Sequence, residues 1–252
     1  MYAAERQQLI AERARADGRV EVALLAEDLG VTTETVRRDL DALEKRGVLR
    51  RVHGGAIPVE RLRFEPELAA RDAEATAEKQ RIAKAALAEL PAEGVVLLDA
   101  GSTTARLAEL LPADRDLTVV TNGLPIALAL ANRGLNVLSL GGRVRTKTLA
   151  GVDAWALNAL RDLYVDVAFL GTNGLTATRG LSTPDQAEAA VKQAMVAAAR
   201  RVVVLADSSK VGTDCFARFA TLDQVDMIIT DDGLDALEAA EFEAAGPTVV
   251  RA

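Results

Sequence analysis

Six short apolar segments between residues 95 and 230 constrain the fold of this chain most strongly. They are mostly rich in β-branched residues and occupy residues 95–99, 117–121, 135–140, 165–170, 202–207 and 227–230. Mainly helical stretches separate these segments, and such alternation is typical of a parallel sheet with helices packed on it. We therefore predict an α/β fold with a parallel sheet for the C-terminal part of the chain.

Polar residues and glycines gather directly after these predicted strands. The candidate ligand-binding residues at these positions are Asp99, Gly101, Ser102, Thr103, Thr104, Thr121, Asn122, Gly141, Gly142, Gly171, Asn173 and Lys210. In open parallel sheets the ligand lies in the crevice beyond the carboxyl ends of the strands. The pattern therefore predicts one ligand site built from several loops. The alternative is that these residues only form turns, which need the same residue types.

The segment from Gly101 to Thr104 favours a phosphate as part of that ligand. It opens a predicted helix that continues to Leu111, so it offers free backbone N–H groups, hydroxyls and the positive end of a helix. Lys210 supplies a further cation. The sequence contains neither a P-loop nor a dinucleotide-binding glycine motif after a strand, and we expect no cofactor.

A second group of charged residues lies on a helix predicted over residues 184–199, with Thr183 as its N-cap. Asp185, Glu188 and Lys192 fall on one face of that helix. One interpretation is a solvated ladder of ion pairs. The other is that Asp185 and Lys192 belong to the ligand site.

The first sixty residues follow a different pattern. A helix over residues 3–15 ends before Gly18, and a second helix over residues 22–29 ends at Gly30. Thr32 is then well placed to cap a third helix. A helix, a glycine turn and a capped helix in succession predict a helix-turn-helix.

The third helix separates a buried stripe from a polar face. Val36, Leu40 and Leu43 recur with helical spacing, so we expect them to be buried. The predicted DNA-binding residues on the remaining surface are Thr33, Thr35, Arg37 and Arg38. Because Arg38 points most directly away from the stripe, it is the predicted base reader, whereas Arg37 on a flank is predicted to hold phosphate. The alternative is a solvated charged face.

Residues 48–57 predict a basic β-hairpin, or wing, directly after this helix. We expect Arg50 and Arg51 to contact DNA phosphates or a minor groove. His53 stands at the turn and either contacts DNA or serves the turn. Gly54 and Gly55 are expected to serve the geometry of the turn.

The charge distribution shows why a local basic patch is needed. The chain carries a formal net charge of −7, and all of the acidic excess lies after residue 59, where 20 Lys and Arg face 27 Asp and Glu. An acidic protein binds DNA only through a local positive surface, and residues 37–53 supply one with six Lys and Arg.

Single residues exclude several classes of protein. His53, the sole histidine, lies far in sequence from the other candidate sites, which argues against common zinc sites and Ser-His-Asp triads, and we predict no metal. Cys215, the sole cysteine, cannot form an internal disulfide and is predicted to be a structural thiol in a reducing compartment. No apolar run approaches a membrane span, so we expect a cytoplasmic protein without a membrane partner.

Two stretches of the N-terminal region resemble one known family. T-T-E-T-V-R-R-D-L at 32–40 and L-R-R-V-H-G-G-A at 49–56 are similar to the DNA-binding head of DeoR-type repressors. The resemblance implies that Arg37 and Arg38 lie on the DNA-reading helix. It also implies that Asp39 supports the fold instead of contacting DNA.

The C-terminal motifs resemble the sensor domain of the same family, which is Rossmann-like and similar in fold to ribose-5-phosphate isomerase. They are Asp99-x-Gly-Ser-Thr-Thr, Thr121-Asn122, Gly141-Gly142, the Asp185 to Lys192 helix and Asp207-Ser-Ser-Lys210. Ser102 stands where the family commonly has Thr, which keeps the hydroxyl. The resemblance implies a phosphorylated sugar as effector, bound by the strand-end loops, and release of DNA when it binds.

Within the family, M-Y-A-A-E-R-Q-Q at the start and D-V-A-F-L-G-T-N-G at 166–174 most resemble actinobacterial fructose-operon repressors, which implies fructose 1-phosphate. The domains follow as a winged helix-turn-helix at 1–57, a linker at 58–78 that becomes helical toward its end, and a sensor at 79–252. Repeated operator half-sites on double-stranded DNA favour a homo-oligomer.

Two other functions are compatible with parts of the pattern. One is a sugar-phosphate isomerase with a DNA-binding appendage, for which Asp99, Asp185, Glu188, Lys192 and Lys210 supply candidate acids and bases. The other is an activator or a nucleoid-associated protein that needs no ligand. This last function leaves the hydroxyls at the strand ends unexplained.

Overall fold

The computed structural model describes residues 2–52, 54–59 and 65–252. The chain divides into two compact units, one of Met1–Phe64 with Gly212–Cys215 and one of Glu65–Val211 with Phe216–Ala252. Within the described ranges, none of the helices has both the length and the apolar character needed to cross a membrane.

The first unit is a winged helix-turn-helix, as the sequence predicted. Its helices are α1 (Ala3–Asp17), α2 (Val22–Leu29) and α3 (Thr33–Lys45), and its strands are β1 (Val20–Glu21), β2 (Leu49–Val52) and β3 (Gly55–Pro58). The strands form an antiparallel sheet in the order β1-β3-β2. Gly18 and Gly30 end α1 and α2 with φ of 77° and 62°, a backbone region that glycine enters without steric cost.

The buried stripe of α3 is confirmed. Val36, Leu40 and Leu43 are at most 2% exposed and pack in one core with α1 and α2. Leu24 of α2, in contrast, is 57% exposed. The buried positions of α2 include Val22, Leu25 and Ala26, and Leu24 falls outside that helical stripe.

Asp39 joins α3 to α1. The residue is buried, and its carboxylate accepts hydrogen bonds from Arg6 Nε at 2.5 Å and from Gln7 Nε2 at 3.0 Å. The structural role predicted for Asp39 is therefore confirmed. This contact fixes the rotation of α3 about its axis, and with it the face that Arg38 occupies.

The second unit contains the remaining elements. The helices are α4 (Leu68–Ala73), α5 (Thr76–Ala86), α6 (Ser102–Leu110), α7 (Leu124–Asn132), α8 (Asp153–Arg161), α9 (Gln186–Ala198) and α10 (Ala236–Ala244), with short 3-10 helices at Leu87–Glu89, Ser208–Lys210 and Leu222–Gln224. The strands are β4 (Gly94–Leu98), β5 (Leu117–Thr121), β6 (Asn136–Ser139), β7 (Arg143–Arg145), β8 (Ala150–Val152), β9 (Val167–Gly171), β10 (Gly174–Thr176), β11 (Gly180–Thr183), β12 (Val202–Leu205), β13 (Ala217–Ala220), β14 (Met227–Thr230) and β15 (Thr248–Arg251).

A seven-stranded parallel sheet organises this unit in the order β15-β14-β12-β9-β4-β5-β6. All six predicted strands are present, and the Rossmann-like parallel α/β fold is confirmed. The seventh strand, β15, was not among the predicted strands and lies at an edge of the sheet. The antiparallel sheet β10-β11-β13 and the pair β7-β8, with strands of three or four residues, were not predicted either.

Helices cover both faces of the sheet. Successive residues of β4 alternate between the faces, so that Val96 and Leu98 pack in one core and Leu97 in the other. Helices α5, α6 and α7 contribute to the first core, and α8, α9 and α10 contribute to the second. Because both faces are buried, the strands are almost continuously apolar.

The range predicted as a linker, 58–78, contains α4 and the first residues of α5.

The order of the strands in the sheet determines which loops lie close together. Since β12, β9 and β4 are neighbours, the loops that follow these three strands meet at one edge of the sheet.

We predict that Asp39→Ala destabilises the first unit by about 2 kcal/mol, because Arg6 is left without the partner of its charge. Hydrogen exchange followed by mass spectrometry on the full chain measures this as a roughly thirtyfold loss of protection in peptides from α1 and α3. Peptides from the seven-stranded sheet should keep their exchange rates.

Asp28→Ala is the matched control, because the Arg13–Asp28 pair is about half exposed and contributes below about 1 kcal/mol. Equal protection in the Asp39→Ala and Asp28→Ala proteins would contradict the role assigned to Asp39.

Candidate functional site

The exposed side of α3 forms the candidate nucleic-acid interface. The Arg38 side chain is 79% exposed and that of Arg37 is 55% exposed, which agrees with the expected difference between them. Thr33 is exposed in the first turn of the helix. Thr35 is half-buried, and its backbone N–H donates to Oγ1 of Thr32 at 3.1 Å, so Thr32 is the N-cap that the sequence predicted.

Glu34 reduces the positive charge of this face. Its carboxylate lies 3.3 Å from Arg38 Nε and 4.0 Å from Arg37 Nη1. All three side chains are more than half exposed, and pairs of this kind contribute little because water screens them. Both guanidinium groups therefore stay available to DNA phosphates or base edges.

The wing lies against α3 through Arg51. Its Nη1 atom is 2.5 Å from Asp41 Oδ1 and donates to the Arg37 carbonyl at 3.3 Å. Arg51 therefore already has partners within the unit, which sequence reasoning did not foresee. Arg50 is more exposed, and its Nε lies 3.9 Å from Glu44. The DNA contacts of Arg50 and Arg51 stay predictions, and His53 lies outside the described residues.

A cavity opens where the loops after β4, β9 and β12 meet. It encloses about 480 Å³ of empty space when its open mouth is included. Of the predicted ligand residues, the cavity is lined by Asp99, Gly101, Ser102, Thr103, Gly171, Asn173, Lys192 and Lys210. The remaining lining residues are Arg71, Lys79, Ala100, Thr172, Glu188, Leu205, Ala206 and Asp207.

A buried ion pair forms the floor of this cavity. Lys192 Nζ donates to Asp99 Oδ2 and to the Gly171 carbonyl at 2.9 Å, and the Gly171 N–H donates to Asp99 Oδ2 at 3.1 Å. Burial raises the pKa of Asp99, and the Lys192 ammonium opposes that rise. Because Lys192 and Glu188 are buried, the interpretation of this helix as a solvated ladder was wrong.

The N-terminus of α6 faces the same cavity. Its N-cap residue is Gly101, which has no side chain that can bond to the free N–H groups of the first turn. Ser102 and Thr103 line the cavity beside it. Thr104 does not line it, since its hydroxyl donates to the carbonyls of Asp99 at 2.6 Å and Gly101 at 3.0 Å. The loop thus offers backbone donors and two hydroxyls.

Thr121 and Asn122 shape the neighbouring loops and do not line the cavity. Thr121 Oγ1 accepts a hydrogen bond from the Gly123 N–H at 3.0 Å. Asn122 Oδ1 accepts from the Ala100 N–H at 2.9 Å, while its Nδ2 donates to the Gly151 carbonyl at 3.2 Å. Asn122 therefore holds the loop after β4 in place, and a direct contact with an effector stays a prediction.

Gly141 and Gly142 also lie outside the cavity lining, and their effector contact stays a prediction. Both adopt a left-handed backbone, with φ of 66° and 100°. At Gly142 a Cβ atom would lie 2.4 Å from the Val152 carbonyl oxygen, so only glycine fits there.

Asp185 has a different place from the one predicted. It is the N-cap of α9, and its Oδ1 accepts from the Glu188 N–H at 3.0 Å. Thr183 was predicted as the cap, but it belongs to β11, so the helix begins later. Asp185 also lies 3.3 Å from Arg145 Nε and does not line the cavity.

Arg145 connects three carboxylates at the edge of the site. Its guanidinium lies 2.8 Å from Glu65 and 2.6 Å from Glu188, in addition to Asp185. Thr148 donates a further hydrogen bond to Glu188. Arg145 and Thr148 therefore fix the position of the Glu188 carboxylate, and Glu188 lines the cavity.

Sequence reasoning missed Arg71 and Lys79 as cavity residues. Lys79 had a detectable signal, because it occupies the apolar stripe of α5 together with Ile82, Ala83 and Ala86. Its ammonium donates to the carbonyls of Arg71 and Glu74, and burial lowers its pKa. Arg71 had no such signal, since α4 has only six residues and none of them is buried.

Two family models match the chain. A DeoR-like helix-turn-helix domain matches residues 6–61, and a DeoR C terminal sensor domain matches residues 74–232. Together they cover most of the sequence.

Relatives of similar length are transcriptional regulators by name. The HTH-type transcriptional regulator GlpR of Haloferax volcanii is 40% identical over 251 residues, which is 99% of this chain and 98% of the relative. The uncharacterized HTH-type transcriptional regulator FruR of Bacillus subtilis is 36% identical, with 92% of each chain covered. The transcriptional repressor AccR of Agrobacterium fabrum is 33% identical over 91% of this chain and 90% of its own.

Similarity to solved structures is weaker. Ribose 5 phosphate isomerase A from Neisseria gonorrhoeae matches with a TM-score of 0.40 and 19% identity, over 53% of this chain and 52% of the isomerase. eIF2B beta from Chaetomium thermophilum matches with a TM-score of 0.44 and 15% identity, over 61% and 48%. The two family models and the relatives together show that the chain belongs to the DeoR family of transcriptional regulators.

Proposed function

We propose that this protein represses a sugar-utilisation operon and leaves its operator DNA when a phosphorylated sugar binds the cavity. The observation that carries the proposal is one cavity that combines an uncapped helix N-terminus with cationic and carboxylate side chains. Helix N-termini and cations favour phosphate, whereas carboxylates and amides accept and donate hydrogen bonds to sugar hydroxyls.

We propose that the phosphate binds between the start of α6 and Lys210. Lys210 Nζ lies 3.8 Å from Asp207, and the side chain is 24% exposed, so it is able to turn toward an anion. Asn173, Glu188 and Asp99 line the rest of the cavity, where the hydroxyls of the sugar would lie.

Fructose 1-phosphate is the effector that we propose. This choice of effector rests on the resemblance of the stretches at 1–8 and 166–174 to fructose-operon repressors. The name of the Bacillus subtilis relative, FruR, is consistent with it.

On DNA, we propose that a homo-oligomer places two copies of α3 in the major grooves of repeated half-sites. Arg38 would read a base, Arg37 would hold a phosphate, and Arg50 and Arg51 would support them from the wing. Since the protein carries a net charge of −7, its affinity for DNA depends on this local surface and on oligomerisation.

We further propose that the cavity binds its ligand without turnover. General acid–base catalysis needs a titratable group that is free to exchange a proton with the substrate. Two of the candidate acids and bases already have partners, because Asp99 bonds to Lys192 and Gly171, and Glu188 bonds to Arg145 and Thr148. Exchange of substrate protons with solvent, followed by NMR, would reveal the isomerase alternative.

The first test is release of DNA by sugar phosphates. A gel shift with the DNA upstream of the protein's own gene should show a complex that fructose 1-phosphate dissociates and fructose does not. The same compound should raise the thermal midpoint of the protein, because a ligand that binds only the folded state stabilises it. The absence of both effects for every sugar phosphate tried would refute the proposed sensing role.

Lys210→Ala should leave the affinity for DNA unchanged and weaken fructose 1-phosphate about tenfold or more, because a charge-assisted hydrogen bond contributes about 1.5–3 kcal/mol. Lys84→Ala is the control, since Lys84 is exposed on α5 and does not line the cavity. Equal induction of the Lys210→Ala and Lys84→Ala proteins would argue against the phosphate position.

Arg38→Ala should weaken operator binding by about tenfold or more and reduce the preference for the operator over unrelated DNA, as expected for a base contact of about 1–3 kcal/mol. Fluorescence anisotropy over a salt series measures both effects. Arg37→Ala should weaken all DNA alike and lower the salt slope by about one.

Arg13→Ala is the matched control for these variants, because Arg13 lies on α1 and pairs with Asp28. If Arg38→Ala keeps the operator affinity of the Arg13→Ala protein, α3 is not the helix that reads DNA.

A further inference from the structure

We propose that Arg71 binds the anionic group of the effector, so that the first helix of the sensor takes part in ligand binding. This inference rests on the proposed sensing of a phosphorylated sugar. Arg71 lines the cavity, and its Nε and Nη2 atoms are shielded from solvent with no hydrogen-bond partner in the described part of the chain. A guanidinium stays charged at all relevant pH values, so this arrangement is costly until an anion arrives.

The other cations of the cavity already have partners. Lys192 pairs with Asp99, and Lys79 donates to two backbone carbonyls. Lys210 lies near Asp207 and donates to Ser209. Arg71 therefore has the most unused hydrogen-bonding capacity among the described cations that line the cavity. Its planar fork of donors fits two phosphate oxygens at once.

Neighbouring contacts hold the backbone of α4 while leaving the Arg71 side chain available. Lys79 bonds to the carbonyl of Arg71 itself, and Arg106 Nη2 lies 2.8 Å from Asp72. Arg106 belongs to α6, so these contacts keep α4 beside the helix whose N-terminus faces the cavity. An anion in the cavity is thus within the reach of two sets of donors, the backbone N–H groups of α6 and the guanidinium of Arg71.

The position of Arg71 in the chain suits a contact that transmits ligand binding toward the DNA-binding part. Helix α4 is the first helix after residues 60–64, which follow the winged helix-turn-helix in sequence. A ligand held by Arg71 stabilises α4 against α6, and so it acts on the segment that connects the sensor to the DNA-binding part of the chain. Ligands change an equilibrium only through contacts that differ between states, and we assign such a contact to Arg71.

The test compares Arg71→Met, Arg71→Lys and the control Arg161→Met in the full chain. Arg161 is exposed on α8, donates to Asn158 at 2.7 Å and does not line the cavity. Calorimetric titrations use fructose 1-phosphate, fructose 6-phosphate, glucose 6-phosphate, inorganic phosphate and fructose. For whichever phosphorylated compounds bind the wild type, Arg71→Met should raise Kd tenfold or more and Arg71→Lys about threefold, whereas Arg161→Met should stay within twofold.

Thermal unfolding without ligand separates a ligand contact from a structural role. Because Nε and Nη2 of Arg71 are shielded from solvent without a partner, replacing this side chain should leave the midpoint of Arg71→Met equal to or above that of the wild type. A lower midpoint together with a Kd within twofold of the wild type would overturn the assignment of Arg71. An unchanged Kd in Arg71→Lys would overturn it as well, including in the case that Arg71→Met does not fold.

The two proposals fail in different ways. If the wild type binds none of the phosphorylated compounds, the proposed function is wrong and the inference falls with it. If the wild type binds them and Arg71→Met binds them equally well, only the role of Arg71 is wrong.

Discussion

The buried ion pair between Asp99 and Lys192 is the interaction on which the rest of the sensor depends. It ties the carboxyl end of β4 to α9, and both residues also bond to Gly171 at the end of β9. A buried pair of this kind contributes little net stability compared with apolar packing, although removing one partner costs about 3–5 kcal/mol. The main effect of this ion pair is to position the ends of two strands and a helix around one point.

The cavity follows from that fixed point and from the strand order. With β12, β9 and β4 adjacent, loops that are far apart in sequence meet beside Asp99, and the first turn of α6 follows it directly. Arg145 extends the same network outward by holding Glu188. Most charges of this polar site are therefore paired, although the site lies at the end of an apolar sheet. Pairing is needed because burying an isolated charge is costly.

Hydrophobic periodicity predicted the alternation of strands and helices, and with it the edge of the sheet where the cavity lies. It did not specify which loops line the cavity, because strand order depends on packing between distant segments. Asn and Gly are common in loops that bind ligands, but here they serve the backbone. Asn122 accepts a hydrogen bond from a backbone N–H, and Gly142 leaves room for a backbone carbonyl. Lys79 interrupts an apolar stripe and so was detectable in principle. Arg71 was not, because a helix of six residues has no measurable periodicity.

The two candidate sites hold their arginines in opposite ways, and this difference bears on how each would respond to its partner. Arg37 and Arg38 share the exposed carboxylate of Glu34, and because water screens these ion pairs, an incoming phosphate would displace Glu34 at little cost. Binding there would depend strongly on salt, since phosphate contacts release counterions. In the described part of the chain, Nε and Nη2 of Arg71 have no hydrogen-bond partner and are shielded from solvent, so an anion that reaches these two atoms breaks no existing hydrogen bond there. The cavity thus holds guanidinium donors that are shielded and unused, whereas the exposed face of α3 keeps its charges solvated.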